Sequence, residues 1–182
     1  HTWSLAVEEQ YYLIWPLIML LVFHISGGQR TEAFMRRRSL WVLGVMLVAS
    51  LILSIGTTRD HQNFAFFLLP TRIWEFAIGG MVGLAGSAFY ARLRRWAEVL
   101  AVGGLALIVY SVVALDHGTP FPGWVAVIPV LGSVLLIAGM SADERGGVRR
   151  ILAVRPMVFI GLLSYSWYLW HWPLLSLFRI YN

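Results

Sequence analysis

The chain contains no cysteine and no lysine. The first absence excludes disulfides, thiolate metal sites and cysteine nucleophiles. The second means that the formal net charge of +5 over 182 residues comes from arginine alone. Charge of either sign is scarce. Only 13% of the residues are charged, against 59% hydrophobic, where a soluble domain carries about a quarter charged. With a mean hydropathy of +0.72, the composition is that of an integral membrane protein. Position 1 is histidine rather than methionine, and no basic stretch with a small-residue cleavage site opens the chain. Together with the abrupt end at Arg179-Ile180-Tyr181-Asn182, this sets the expectation of a piece of a longer protein. No low-complexity tract and no repeat of fixed period is present.

What is there is a series of apolar runs. Six of them, at roughly 5–24, 40–56, 64–86, 97–115, 124–140 and 157–172, approach the ~20 residues that cross a ~30 Å hydrocarbon core. They are apolar all round instead of along one stripe, and they do not alternate as barrel strands do. A backbone in lipid must satisfy its own hydrogen bonds, so each run is expected to be a helix. The fold class expected is an all-α, polytopic transmembrane bundle with about six spanning helices.

Arginine marks every second connection. Arg30, Arg36, Arg37 and Arg38 follow the first run; Arg92, Arg94 and Arg95 follow the third; Arg145, Arg149, Arg150 and Arg155 follow the fifth. The other connections hold only Arg59 with Asp60, and Asp116 with His117. By the positive-inside rule the arginine-rich loops are cytoplasmic and residue 1 lies on the outer, periplasmic side. The basic residues are then topology signals divided among three short loops, which removes nucleic acid as a partner.

Ionisable side chains within spanning segments are costly and mark functional sites by default. Glu8 and Glu9 open the first run, Arg72 and Glu75 lie in the third, and His171 lies near the end of the sixth. At 1.5 Å per residue, Glu8 is within roughly 5 Å of the outer end of its helix. Arg72 is on the order of 12 Å in if its helix starts at Phe64, and shallower if Pro70 is the start, since proline suits a first helical turn. His171, on an ascending run, is roughly 24 Å up. All three therefore reach the outer half. Each has a plainer reading. Arg72 and Glu75, at i and i+3, can neutralise each other. His171 can be a hydrogen-bonded packing residue, and the aromatic residues around it an interfacial belt. Of the two first-run acids, Glu8 is the expected inward one, sharing a face with Tyr12 and Trp15. Gly79, Gly83 and Gly86 form a small-residue stripe suited to close helix packing. His24, His61 and His117 fall at loop edges or turns.

Four stretches in order, WSLAVEEQYYLIWP (Trp3–Pro16), PTRIWEFAIGG (Pro70–Gly80), FPGWVAVIPVLGSVLLI (Phe121–Ile137) and SYSWYLWHWP (Ser164–Pro173), resemble the membrane-bound acyltransferase-3 family of bacterial surface-glycan O-acetyltransferases. The resemblance covers nearly the whole chain. It implies a bundle of ten or so helices in the bacterial inner (cytoplasmic) membrane. That bundle moves an acyl group, usually acetyl, from cytoplasmic acyl-CoA, a donor substrate with no bound cofactor, to a sugar hydroxyl of a glycan acceptor. The PTRIWE form looks most like the branch whose membrane domain precedes an extracytoplasmic SGNH-type domain. The family's first helix, with its catalytic histidine and basic partner, would lie upstream of His1, so residues 1–182 alone are expected to be inactive.

Acyl transfer to a hydroxyl needs a base for the proton and a donor or cation for the oxyanion. On this resemblance Glu8, Arg72, Glu75 and His171 form the catalytic set: Glu8 orients the base or contacts the acceptor, Arg72 held by Glu75 meets donor or oxyanion charge, and His171 completes the cluster. Trp3, Ser4, Glu9, Tyr12, Trp74, Tyr165, Tyr168 and Trp170 form the expected substrate-binding wall. A transporter or flippase for polyprenyl-linked glycans would also use buried charge and aromatic walls, although transporters often show paired broken helices across a repeat. A non-catalytic membrane scaffold is the other competing expectation.

Overall fold

Long apolar runs without lysine or cysteine fold here entirely as helices. In this computed structural model, residues 3–25, 31–115 and 122–181 are described, without the side chains of residues 3, 4, 63, 180 and 181. Helix α1 spans Trp3–Ile25, α2 Glu32–Asp60, α3 Gln62–Phe67, α4 Ile73–Gly83, α5 Ser87–Leu93, α6 Ala97–Ala114, α7 Val127–Ala142, α8 Gly147–Leu152 and α9 Arg155–Tyr181. Short 3-10 turns at Leu69–Thr71 and Arg94–Trp96 complete the list, and no strand occurs among the described residues. Among the described residues, three stretches are long and apolar enough to cross a membrane: Leu5–Ile25, Glu32–Asp60 and Ser87–Ala114. α4 and α7 are shorter apolar helices. The molecule is an all-α membrane helix bundle, as expected.

One expected run is not a single helix. Residues 64–86 break into α3, the 3-10 turn at Leu69–Thr71, and α4, which begins at Ile73. The physical reason is Pro70. It lacks an N–H for an interior helix bond. The chain leaves the helix at Leu68, which is extended, with φ −91° and ψ 136°.

α2 is the central strut. α4 packs along it, and α3 and the 3-10 turn cover its C-terminal half, with α1 alongside. Its buried face reads Ser39, Leu43, Ser50, Ser54 and Thr58, so four of these five side chains carry a hydroxyl. α6 and α7 form a tight antiparallel pair. A Cβ on Gly139 would fall 2.5 Å from the Ala97 carbonyl oxygen and 2.6 Å from the Ala101 nitrogen. One on Gly104 would run into the Leu136 backbone, and one on Gly132 would lie 2.9 Å from the Gly104 carbonyl. These glycines let the two backbones touch, as small residues do where lipid supplies no hydrophobic drive to association. The stripe expected to do this, Gly79, Gly83 and Gly86, does not. Nothing among the described residues lies within 4 Å of a Cβ on Gly79 or Gly83, and Gly86 faces the Arg36 guanidinium.

Two side chains tie the remaining connections. The Glu98 carboxylate accepts the backbone N–H groups of Gly147 (2.9 Å) and Val148 (3.1 Å), placing negative charge at the start of α8. The Thr58 hydroxyl accepts the Gly123 N–H at 3.1 Å. Gly123 has φ 35°, a left-handed conformation that glycine adopts at little cost. It carries the turn that leads into α7.

α9 lies at the edge. None of its described side chains is buried, and only Tyr168, His171 and Ser176 are partly so; the helix has no extended packing against α4 or the 3-10 turn among the described residues.

Candidate functional site

The break at Pro70 carries the expected charged residues, and its construction can be followed bond by bond. Leaving the helix frees backbone groups that must find partners away from water. Ser50 of α2 supplies two of them. Its hydroxyl donates to the Pro70 carbonyl at 2.6 Å and accepts the Trp74 N–H at 3.0 Å. Thr71, buried at 2% exposure, has its hydroxyl 2.7 Å from both the Ala65 and the Leu68 carbonyl oxygens. The turn is thereby fixed to α2 and to the end of α3, and α4 starts immediately after Arg72.

Arg72 and Glu75 form an ion pair across the first turn of α4. Nη2 donates to Glu75 Oε2 at 2.9 Å and Nε to the same oxygen at 3.2 Å. Both side chains are mostly buried, 21% and 16% exposed, so the pair is less screened than a surface one. The Phe66 ring lies 6.0 Å from the guanidinium carbon, within cation–π range. Glu75 sits in the first helical turn, where the helix dipole also favours negative charge. Because Oε2 takes both bonds, Glu75 Oε1 and Arg72 Nη1 are engaged by no described residue. The pair is anchored yet keeps an acceptor and a donor for a third group.

α1 covers this segment with an aromatic face. Val7, Tyr11 and Leu69 form a small buried core, flanked by Trp15, Ile73 and Phe76. Tyr11 stacks on Phe76 at 4.7 Å and lies near-parallel to Trp15 at 6.0 Å. The inward face is thus centred on Val7 and Tyr11. Tyr12, expected inward, is 61% exposed, because it follows Tyr11 by 100° around the helix. Glu8 flanks the face and is half-buried, whereas Glu9 is exposed. Trp74 is 2% exposed, with its indole N–H unpaired among the described residues. It is a packed residue of α4 rather than an open wall. The side chains of Trp3 and Ser4 lie outside those described.

His171 occupies a second locale. With Ile160, Leu163, Ser164, Trp167 and Tyr168 it lines a hollow of about 530 Å³ along α9. Its Nδ1 is 3.2 Å from the Trp167 carbonyl and its ring 5.9 Å from that of Tyr168. Tyr165 and Trp170 are exposed and do not line the hollow. The structure therefore joins Arg72 to Glu75 and sets α1, with Glu8, over that segment. It leaves His171, Tyr168, Tyr165 and Trp170 on a separate helix.

Ser50 and Thr71 were not among the residues expected from sequence. Ser50→Ala should leave the Pro70 carbonyl and the Trp74 N–H without partners, at a cost of about 1–3 kcal/mol. Thermal unfolding of the full-length protein in detergent should show a lowered midpoint, largely restored by Ser50→Thr. An unchanged midpoint in Ser50→Ala would contradict the bridge.

The acyltransferase domain family, acyltransferase-3, matches the chain over residues 1–182. Among curated relatives, a Komagataeibacter xylinus protein provisionally named membrane-bound transacylase BcsY is 31% identical over 173 residues, 95% of this chain and 40% of its own length. The O-acetyltransferase OatA of Staphylococcus aureus is 25% identical over all of this chain and 30% of its own length. A Bacillus subtilis protein provisionally named peptidoglycan O-acetyltransferase YrhL is 27% identical over 96% of this chain and 28% of its own length. The chain thus spans well under half the length of these relatives. No solved structure matches it.

Proposed function

Because the chain belongs to the acyltransferase-3 family, we propose that the full-length protein is an integral membrane O-acyltransferase moving an acyl group, acetyl in the first place, from cytoplasmic acyl-CoA to a sugar hydroxyl of a cell-surface or exported glycan. It would sit in the bacterial inner membrane with the arginine-rich loops cytoplasmic and residue 1 outside. In the branch that the PTRIWE stretch resembles, an SGNH-type domain would take the group onward.

The observation that carries this reading is the anchored Arg72–Glu75 pair with one free donor and one free acceptor. Attack of the sugar hydroxyl on the thioester carbonyl forms a C–O bond, passes the hydroxyl proton to a base, and places negative charge on the carbonyl oxygen. The oxyanion then collapses to the ester carbonyl, the C–S bond breaks, and the departing CoA thiolate takes the proton from the base and leaves as the thiol. A guanidinium held in position before the reaction stabilises that oxyanion without reorganisation. Glu75 keeps Arg72 aimed. Glu8 orients the base or meets the acceptor, and His171 completes the polar set once the remaining helices close around α9. The base itself, on the family pattern, is a histidine outside residues 1–182. The names of OatA and of YrhL, which specify O-acetyl transfer and, for YrhL, peptidoglycan, support this donor group and this acceptor class.

Purified full-length protein in proteoliposomes, given acetyl-CoA labelled in the acetyl group and a glycan acceptor, should place a base-labile label on the glycan. Movement of the glycan across the bilayer without label would replace this reading by that of a flippase. Wild-type transfer by Glu8→Ala and His171→Ala at equal abundance would remove those two residues from the site.

A further inference from the structure

A second cavity, of about 550 Å³, opens between α2, α4 and α5 on the arginine-rich side. Its walls are apolar, with Leu40 and Leu47 from α2, Ile78 from α4 and Phe89 from α5. Arg36 and Arg92 also line it. From Leu40 to Leu47 the apolar wall runs about 10 Å along α2. Neither arginine has an acidic partner among the described residues, and no acid lines the cavity. Arg36 is laid across Gly86, so closely that a Cβ there would collide with its guanidinium. The cavity thus combines two arginines that have no acidic partner among the described residues with an apolar cleft along α2.

We propose that this cavity binds an anionic phospholipid of the leaflet on the arginine-rich side, its phosphate between Arg36 and Arg92 and an acyl chain along Leu40, Leu47 and Ile78. Charge complementarity selects this occupant. Basic pockets between spanning helices at the cytoplasmic face recognise anionic headgroups, and bidentate guanidiniums suit phosphate oxygens. The apolar wall rules against a free inorganic anion, which would leave the cleft without a partner. The proposal is independent of the acyl-transfer reading.

Native mass spectrometry of the full-length protein with added phosphatidylglycerol or phosphatidylcholine tests it. The wild-type protein should retain phosphatidylglycerol selectively, and the R36Q/R92Q double variant should lose about thirtyfold in apparent affinity, the factor for two interfacial cations. Arg150→Gln, outside the cavity, should retain it fully. Gly86→Ala displaces only the flexible tip of Arg36 and should weaken retention severalfold even if the double variant misfolds. Equal retention of phosphatidylcholine, an equal loss in Arg150→Gln, or no change in Gly86→Ala and the double variant would overturn the proposal. Displacement of the lipid by micromolar acetyl-CoA would also overturn it and mark the cavity as a donor pocket.

Discussion

Arg72→Ala in the full-length protein should lower glycan acylation by about 100- to 1,000-fold, the usual effect of removing one preorganised oxyanion donor. The difficulty lies in distinguishing a catalytic loss from a structural one, since alanine at 72 leaves the Glu75 carboxylate mostly buried and unpaired. A double replacement separates the two. If Arg72 and Glu75 only neutralise each other, Arg72→Ala combined with Glu75→Ala removes the stranded charge and should recover most activity. If Arg72 meets charge that develops during transfer, the double variant stays as inactive as the single one while its thermal midpoint recovers. Arg72→Lys should sit between, since an ammonium keeps the charge but not the planar set of donors that engages Glu75. Acylation rates at matched protein abundance, read beside unfolding midpoints, decide among these outcomes. Full activity in Arg72→Ala would remove the ion pair from the mechanism altogether.

The second large effect is on folding. Gly139→Val should abolish accumulation of correctly folded protein. The first added carbon already lies 2.5 Å from the Ala97 carbonyl oxygen and 2.6 Å from the Ala101 nitrogen. Those are backbone atoms of α6, so no rotamer change relieves the contact and the helix pair must separate. Overpacking costs about 1–3 kcal/mol when side chains can adjust, and here the penalty should exceed that range. Size-exclusion chromatography of a fluorescent fusion in detergent should show loss of the monodisperse peak. Gly79→Val, which meets open space among the described residues, should leave the peak intact. A monodisperse Gly139→Val protein would show that the α6–α7 contact is looser than described.

The contrast between those glycines shows where sequence reading succeeds and where it stops. Hydropathy marks α1, α2 and α6 because burial in lipid depends on composition along one segment. The i, i+3 spacing of Arg72 and Glu75 likewise predicts their pairing, since both lie on one helical turn. Pro70 signals a break, and the two starting points for the third run, Phe64 or Pro70, were both legible. The structure selects the second. Gly79 and Gly83 have the same four-residue spacing as a packing stripe, yet the glycines that bring two helix backbones together are Gly104, Gly132 and Gly139. Spacing defines a face; only the partner helix makes it an interface. Ser50 is hidden for the same reason. In sequence it is a small polar residue in an apolar run, and its role depends on Pro70 and Trp74, 20 and 24 residues away. The tilt of the α1 face from Tyr12 to Tyr11 is one residue's rotation, finer than an apolar pattern resolves.

The hydroxyls of α2 also bear on how the broken segment is held. A serine or threonine in a lone membrane helix can satisfy itself on its own i−4 carbonyl, and Thr58 still does so, donating to Ser54 at 2.7 Å while accepting from Gly123. The Thr58 hydroxyl is therefore met within α2 itself, before any neighbour is counted. Ser50 instead gives its hydrogen to the Pro70 carbonyl. The broken segment, which cannot satisfy its own backbone, gains a membrane-stable form by docking on α2. α2 is the scaffold on which the segment bearing Arg72 and Glu75 is held in its broken shape.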